Sequence, residues 1–277
     1  MQIIDGRKIR EEILLKIKKE VSTLKFAPVF CDVLVGTDPV SAQYVRMKGR
    51  MAEELGIKFH SAHFEDTISS ESLVEEIGKL GLVPNMSGII VQLPLPKQFT
   101  DKKIILDAVP ETLDVDCLGT PASEKFYKGQ NNIGFPTALA CMYILDSLNL
   151  DLSHKNIVVL GQGDLVGKPT TALLRFRGLS PIVITKNTEN KETLIKDADI
   201  IISGIGKGKY ITGDMIKKGA VLIDAGTSES NGGIVGDVDL ESVKDVAGYV
   251  SPVPGGVGPV TVAMLLNNVL KVAHLLK

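Results

Sequence analysis

The feature that most limits how this chain can fold is its repeated exchange between short apolar runs and helically spaced stripes. Pro28 to Val35 (PVFCDVLV) reads as a buried-type strand. Gly36-Thr37-Asp38-Pro39 gives a turn, and Ser41 to Leu55 has helical spacing closed by Gly56. Ile57 to His63 follows as a second strand, Ser69 to Leu80 as a helix, and Ser87 to Gln92 as a third strand. Ahead of them, the stretch from Asp5-Gly6-Arg7 places Ile9, Ile13, Leu14, Ile17 and Val21 on one helical stripe. Strand and helix alternate, which predicts a parallel sheet covered by helices on both faces.

The second half continues the pattern. Thr137 to Leu148 reads as a helix joining the halves, and Asn156 to Leu160 (NIVVL) as a strand. That strand runs into Gly161-Gln162-Gly163-Asp164-Leu165-Val166-Gly167-Lys168-Pro169, a Gly-x-Gly-x-x-x-Gly string at a strand-to-helix junction. Glycines there permit a tight turn and close backbone approach, and the helix N-terminus offers free N–H groups to a diphosphate. Further strands at Pro181–Thr185, Asp199–Ser203 and Ala220–Asp224 predict a Rossmann-type domain. The expectation is an α/β protein of two three-layer domains. Residues 1–138 and 260–277 form the first, and residues 139–259 form the second, dinucleotide-binding one.

With 277 residues there is room for two modest domains. A net charge of -2 gives no electrostatic case for nucleic acid or an anionic membrane, and the absence of Trp weakens any base-stacking role. No apolar run approaches the ~20 residues that span a bilayer. Met1 leads straight into Ile3-Ile4-Asp5 without a signal-peptide pattern, so a cytoplasmic protein is expected. Cys31, Cys117 and Cys141 are odd in number and widely spaced, which argues against disulfides or zinc. His60 and His63 fall on opposite faces of a strand, and no metal site is expected.

Four places carry candidate chemistry. Tyr44 and Lys48 lie four apart on one helix face. They could be a solvated surface pair, or Lys48 could be a partly buried amine that accepts protons near neutral pH. Gln92-Leu93-Pro94-Leu95-Pro96 puts a glutamine at the carboxyl end of a strand, where open α/β sheets bind ligands. It could cap the strand, or reach a lysine and a ligand. Asp114-Val115-Asp116 is either solvated charge or a carboxylate facing a ligand's N–H donors. Ser251-Pro252-Val253-Pro254-Gly255-Gly256-Val257-Gly258-Pro259-Val260-Thr261 packs three prolines and three glycines into eight residues. It is expected to be loop between a short strand at Gly248-Tyr249-Val250 and an apolar helix from Thr261 to Leu276.

Together these strings resemble the bifunctional methylenetetrahydrofolate dehydrogenase/methenyltetrahydrofolate cyclohydrolase family. The matching strings are Tyr44-x-x-x-Lys48, Gln92 to Pro96, Asp114 to Asp116, Gly236-Asp237-Val238-Asp239 and the Pro/Gly loop, and they span Val35 to Thr261 in the family's order. The resemblance implies oxidation of methylenetetrahydrofolate with NADP and hydrolysis of the methenyl product to 10-formyltetrahydrofolate, in a folate cleft between the two domains. By the same resemblance Lys48 is the central residue of hydrolysis and Gln92 tunes its protonation. Tyr44 orients the folate, and Asp116 holds the pterin ring. Pro254, Gly255 and Gly256 border the substrate. Gly161, Gln162, Gly163, Val166, Gly167, Lys186, Asn187, Gly204, Gly206 and Thr227 line the cofactor, and a homodimer is expected.

Cofactor choice turns on Ile184-Thr185-Lys186-Asn187-Thr188, which has no acid before Glu189 and so favours the 2′-phosphate of NADP over NAD. Four departures stand out. Gln162-Gly163 replaces the family's Arg-Ser, which often holds that same phosphate, Lys186-Asn187 replaces a His-Ser, Cys117 replaces a glycine, and Phe135-Pro136-Thr137-Ala138 replaces a Pro-Cys-Thr-Pro string. Two other readings compete: a dehydrogenase with little cyclohydrolase activity, and a non-catalytic folate- or nucleotide-binding regulator. Retention of Tyr44, Lys48, Gln92 and Asp116 together speaks against the first, and retention of Lys48 and of the Pro/Gly loop speaks against the second.

Overall fold

The computed structural model describes residues 1–230 and 232–276. Its elements run β1 (Gln2–Ile3), α1 (Gly6–Val21), β2 (Val29–Val35), α2 (Pro39–Glu54), β3 (Lys58–Phe64), α3 (Ser70–Leu80) and β4 (Met86–Val91). Then come α4 (Lys102–Asp107), α5 (Thr120–Tyr127), α6 (Pro136–Ser147), β5 (Ile157–Leu160), α7 (Gly167–Phe176), β6 (Ile182–Ile184), α8 (Lys191–Lys196) and β7 (Ile200–Ser203). The chain finishes with β8 (Val221–Asp224), β9 (Ser228–Ser230), β10 (Gly233–Val235), α9 (Leu240–Val243), β11 (Tyr249–Ser251) and α10 (Val257–Leu275). Contacts divide it into two compact units. One is Ile13–Phe135 with Leu265–Lys277, and the other is Met1–Glu12 with Pro136–Met264.

The first unit holds a parallel sheet of order β3-β2-β4. Central β2 is buried at every position, as its apolar run requires, whereas edge strand β3 carries exposed Lys58, His60 and His63. Phe30, Ile57, Leu73, Ile77 and Ile89 are wholly enclosed around it. Each such side chain contributes roughly 1.5–3 kcal/mol by leaving water.

The second unit holds a six-stranded parallel sheet of order β1-β11-β8-β7-β5-β6 and a small β9–β10 hairpin. Val158, Ile201, Leu222 and Val250 lie in its apolar core. The sequence reading put residues 1–12 with the first domain. They belong with this sheet, because Gln2 and Ile3 pair with Tyr249 and Val250 of β11. A two-residue strand has no periodicity by which sequence could reveal it.

The Pro/Gly string also differs from expectation. It is loop only to Gly256, and α10 begins at Val257, taking Gly258 and Pro259 into its first turn. Proline is tolerated there because the first N–H groups of a helix have no partner within it.

Candidate active site

The first unit places Lys48 by helix periodicity. Asp38 caps α2, its carboxylate accepting the Ser41 N–H at 2.7 Å, and Pro39 occupies the first turn. Ser41, Val45, Lys48, Gly49 and Ala52 then form the buried face. Gly49 lets Phe59 of β3 approach, since a Cβ at that position would stand 2.5 Å from the ring. Lys48 is only 7% exposed, so it is not a solvated surface residue. Its Nζ donates to Gln92 Oε1 at 2.8 Å, while Gln92 Nε2 donates to the Leu93 carbonyl at 2.5 Å. The amide is thus held at both ends with its oxygen turned to the amine. Tyr44, one turn earlier on α2, is exposed.

Sequence reasoning passed over Asp32. It lies wholly buried in the middle of β2, and its Oδ2 is 2.6 Å from Lys48 Nζ. Burial raises its carboxyl above the usual range, and the neighbouring Lys48 charge opposes that rise. The available signal was one acid inside the otherwise apolar run PVFCDVLV.

Asp114 and Asp116 have different surroundings. Asp114 bridges to Ile89 at the edge of β4 and accepts the Gly119 N–H at 2.7 Å. Burial pushes its carboxyl up to about 6 against the pull of N–H groups from Gly119, Leu118, Cys117 and Asp116. Asp114 therefore shapes the loop. Asp116 is half-buried, and its carboxyl is pushed up to about 7 by burial, with Asp114 and Asp32 adding to the rise and Lys48 opposing it. Cys117 takes a φ of 61°, the left-handed region where glycine is at ease, and its side chain is buried.

The second unit builds its site from backbone. Strand order reverses at β5, with β6 on one side and β7 on the other, so the carboxyl end of β5 is a topological switch point. Gly161 follows it with a φ of 94°. A Cβ on Gly167, the first residue of α7, would stand 2.1 Å from the Gly161 carbonyl oxygen. Gly163 faces open space. One glycine turns the chain, one seats the helix, and one borders open space. Val166 precedes α7, and a Cβ on Gly204 would come within 2.6 Å of its Cγ1. Gln162 folds back, donating to the Gly161 carbonyl at 2.8 Å and to Thr171 Oγ1 at 3.1 Å.

Lys186 and Asn187 are exposed beyond β6, and no acid lies between Ile182 and Thr188. Gly204, Gly206 and Thr227 follow β7 and β8 at the same edge, where two buried acids hold their loops. Asp237 accepts from Ser203 Oγ at 2.6 Å and from the N–H groups of Ile205 and Lys207 at 2.9 and 2.7 Å. Asp224 accepts the N–H groups of Gly226, Asp237 and Val238, and burial pushes its carboxyl up to about 6. In the Pro/Gly loop, Gly255 has a φ of 108° and its carbonyl accepts the Gly6 N–H at 3.0 Å, while Pro254 is exposed. Gly256 donates to the Pro252 carbonyl at 2.7 Å. Lys48, Gln92 and Asp116 thus share one unit; Pro254, Gly255, Gly256 and the candidate cofactor residues belong to the other.

Residues 4–116 match the tetrahydrofolate dehydrogenase/cyclohydrolase catalytic domain, and residues 136–277 match the NAD(P)-binding domain of the same description. The chain belongs to the tetrahydrofolate dehydrogenase/cyclohydrolase family. The bifunctional protein FolD of Staphylococcus aureus (strain JH9) is 39% identical over 273 residues, covering 97% of this chain and 95% of its own length. The bifunctional FolD methylenetetrahydrofolate dehydrogenase/cyclohydrolase of Campylobacter jejuni superposes with a TM-score of 0.95 at 33% identity, with both chains covered in full. The Trypanosoma brucei methylenetetrahydrofolate dehydrogenase-cyclohydrolase, solved with NADP cofactor and an inhibitor, gives a TM-score of 0.91 at 32% identity over 98% of this chain and 97% of its own. The family and the two-domain α/β fold read from the sequence are borne out. Among the described residues no helix is long and apolar enough to cross a membrane.

Proposed function

We propose that this protein oxidises methylenetetrahydrofolate to methenyltetrahydrofolate with NADP and hydrolyses that product to 10-formyltetrahydrofolate. The observation that carries the reading is the enclosed Lys48–Gln92 contact at 2.8 Å, with Asp116 in the same electrostatic field. NADP, when bound, supplies the hydride acceptor. The glycine turn at 161–167 fits its diphosphate, and exposed Lys186 beside Asn187 suits a 2′-phosphate.

Dehydrogenation asks for proximity more than for a protein base, because hydride leaves the methylene carbon with both bonding electrons. Hydrolysis asks for proton management. Water adds to the methenyl carbon and loses a proton, the bond from that carbon to N5 breaks as N5 takes a proton, and the adduct's hydroxyl gives up its second proton to become the formyl C=O. One proton is released overall. Lys48 accepts and returns protons in this sequence, and Gln92 holds its amine. Asp116 accepts hydrogen bonds from the pterin's N–H donors, and Tyr44 packs beside the folate. Pro254, Gly255 and Gly256 border the substrate from the Pro/Gly loop. A cytoplasmic homodimer completes the reading, supported by the family resemblance and testable by sedimentation.

The test is to mix protein, methylenetetrahydrofolate and either NADP or NAD, following reduced cofactor and methenyl product separately. Cofactor reduction without lasting methenyl accumulation, faster with NADP, is expected. Persistent methenyl product would contradict the hydrolytic half, and no reduction with either cofactor would contradict the whole.

A further inference from the structure

We infer that Asp32 is a positioning residue for hydrolysis, its carboxylate holding the Lys48 amine against Gln92. The inference rests on the proposed role of Lys48.

The arrangement is unusual for a structural ion pair. Asp32 sits in the central strand of a three-stranded sheet, paired across to Ser61 on β3 and Ile90 on β4, in a strand buried at every position. An ionised carboxylate there needs a close opposite charge. Lys48 supplies it at 2.6 Å, yet neither carboxylate oxygen has a well-aligned hydrogen bond among the described residues. Charge joins the two at close range. The amine meanwhile spends an aligned hydrogen bond on Gln92. Asp32 therefore tethers Lys48 from the sheet side while Gln92 receives it at the strand end.

The electrostatic surroundings are few. Asp32 from β2 and Asp116 from the loop after Asp114 both interact with Lys48, and Asp114 acts on Asp116. Two thiols feel the same acids. Cys31 is pushed up to about 12 by burial first and Asp32 second, and Cys117 is raised by burial with Asp114 and Asp116 adding. Both thiols are neutral at working pH. Of the two acids facing Lys48, Asp32 alone is in contact with its amine.

A purely structural pair and a positioning pair predict different kinetics. The experiment measures the pH dependence of hydrolysis and of dehydrogenation in the full-length parent, Asp32→Asn, Asp32→Glu and Lys48→Ala. In Asp32→Asn the pH–rate profile of hydrolysis changes while that of dehydrogenation does not, since the amine loses the contact that holds its place. Its plateau kcat for hydrolysis falls about tenfold more than that for dehydrogenation, with KM little changed. Asp32→Glu keeps the charge on a longer stem, so the shape of the profile is kept while the rate falls. If Asp32→Asn does not fold, Asp32→Glu carries the test: a hydrolysis-selective loss supports positioning, and parallel loss of both activities overturns it. An Asp32→Asn profile that superimposes on the parent's, with Lys48→Ala inactive, overturns the role of Asp32 and leaves that of Lys48 standing. Full hydrolysis by Lys48→Ala overturns both.

Discussion

The two units solve opposite problems with opposite materials. The Lys48 site is made of side chains that must keep charge where water is scarce, and it does so by setting Asp32, Gln92 and Asp116 around one amine. The glycine turn is made of backbone that must clear a path, and it does so by omitting side chains at Gly161, Gly163 and Gly167. A charged cluster tolerates small shifts of position and responds to pH. A glycine junction is indifferent to pH and intolerant of one methyl group.

The largest expected effect comes from testing that intolerance. Gly167→Ala forces a Cβ to within 2.1 Å of the Gly161 oxygen, where only backbone can yield. It should lower stability by about 3 kcal/mol or more and abolish cofactor binding. Gly163→Ala meets no atom within 4 Å. It should unfold like the parent yet bind NADP about tenfold more weakly, because the methyl enters the ligand's space. Thermal unfolding beside a cofactor titration checks both, and equal behaviour of the two variants would break the distinction.

Next is Gln92→Leu, which removes the acceptor from Lys48. Hydrolysis should fall on the order of 10–100-fold while NADP affinity is unchanged. Separate assays of the two steps with a binding titration would show it, and a loss of cofactor affinity would mean that Gln92 does more than hold Lys48.

The pH contrast gives a smaller effect. The Asp116 carboxyl sits at about 7 in the fold against an ordinary 3.8. The folded chain therefore holds more protons than the unfolded one between these values, and stability falls as pH rises through that window. Asp116→Asn should flatten this slope and exceed the parent in stability above pH 7 by about 1–2 kcal/mol. Urea midpoints at acid and neutral pH decide it. A parent midpoint that climbs from acid to neutral pH, with no difference in the variant, would contradict the assignment.

Smallest is Cys117→Gly. Relief of the left-handed φ is set against a lost buried thiol and a freer unfolded chain, so the net change should stay within about 1 kcal/mol. A large loss would mean that the Cys117 side chain, rather than the turn, organises the loop.

The contrast also explains which features were legible in the sequence. The glycine turn was legible because backbone geometry demands one residue type at fixed spacing, directly after a strand. The strands were legible for a similar reason, since β5 is an unbroken apolar run and β2 is interrupted only by Asp32. The Lys48 site is assembled from positions 32, 48, 92 and 116, and no local pattern encodes a contact between residues 44 apart. Asp32 was passed over, because an acid in an apolar strand carries no sign of its partner. Terminal strand β1 escaped notice because two exposed residues carry no period. The start of α10 was misplaced because Pro259 reads as a helix breaker until its first-turn position is known.

The separation of the two chemistries is tested most directly by the lifetime of methenyltetrahydrofolate in Lys48→Ala during a single turnover with methylenetetrahydrofolate and NADP. The account predicts reduced cofactor formed at close to the parent's rate, with methenyl product persisting because enzymatic hydrolysis falls by about 100-fold or more. Methenyl product that decays as fast as in the parent would contradict it, and would move the hydrolytic chemistry away from Lys48 altogether.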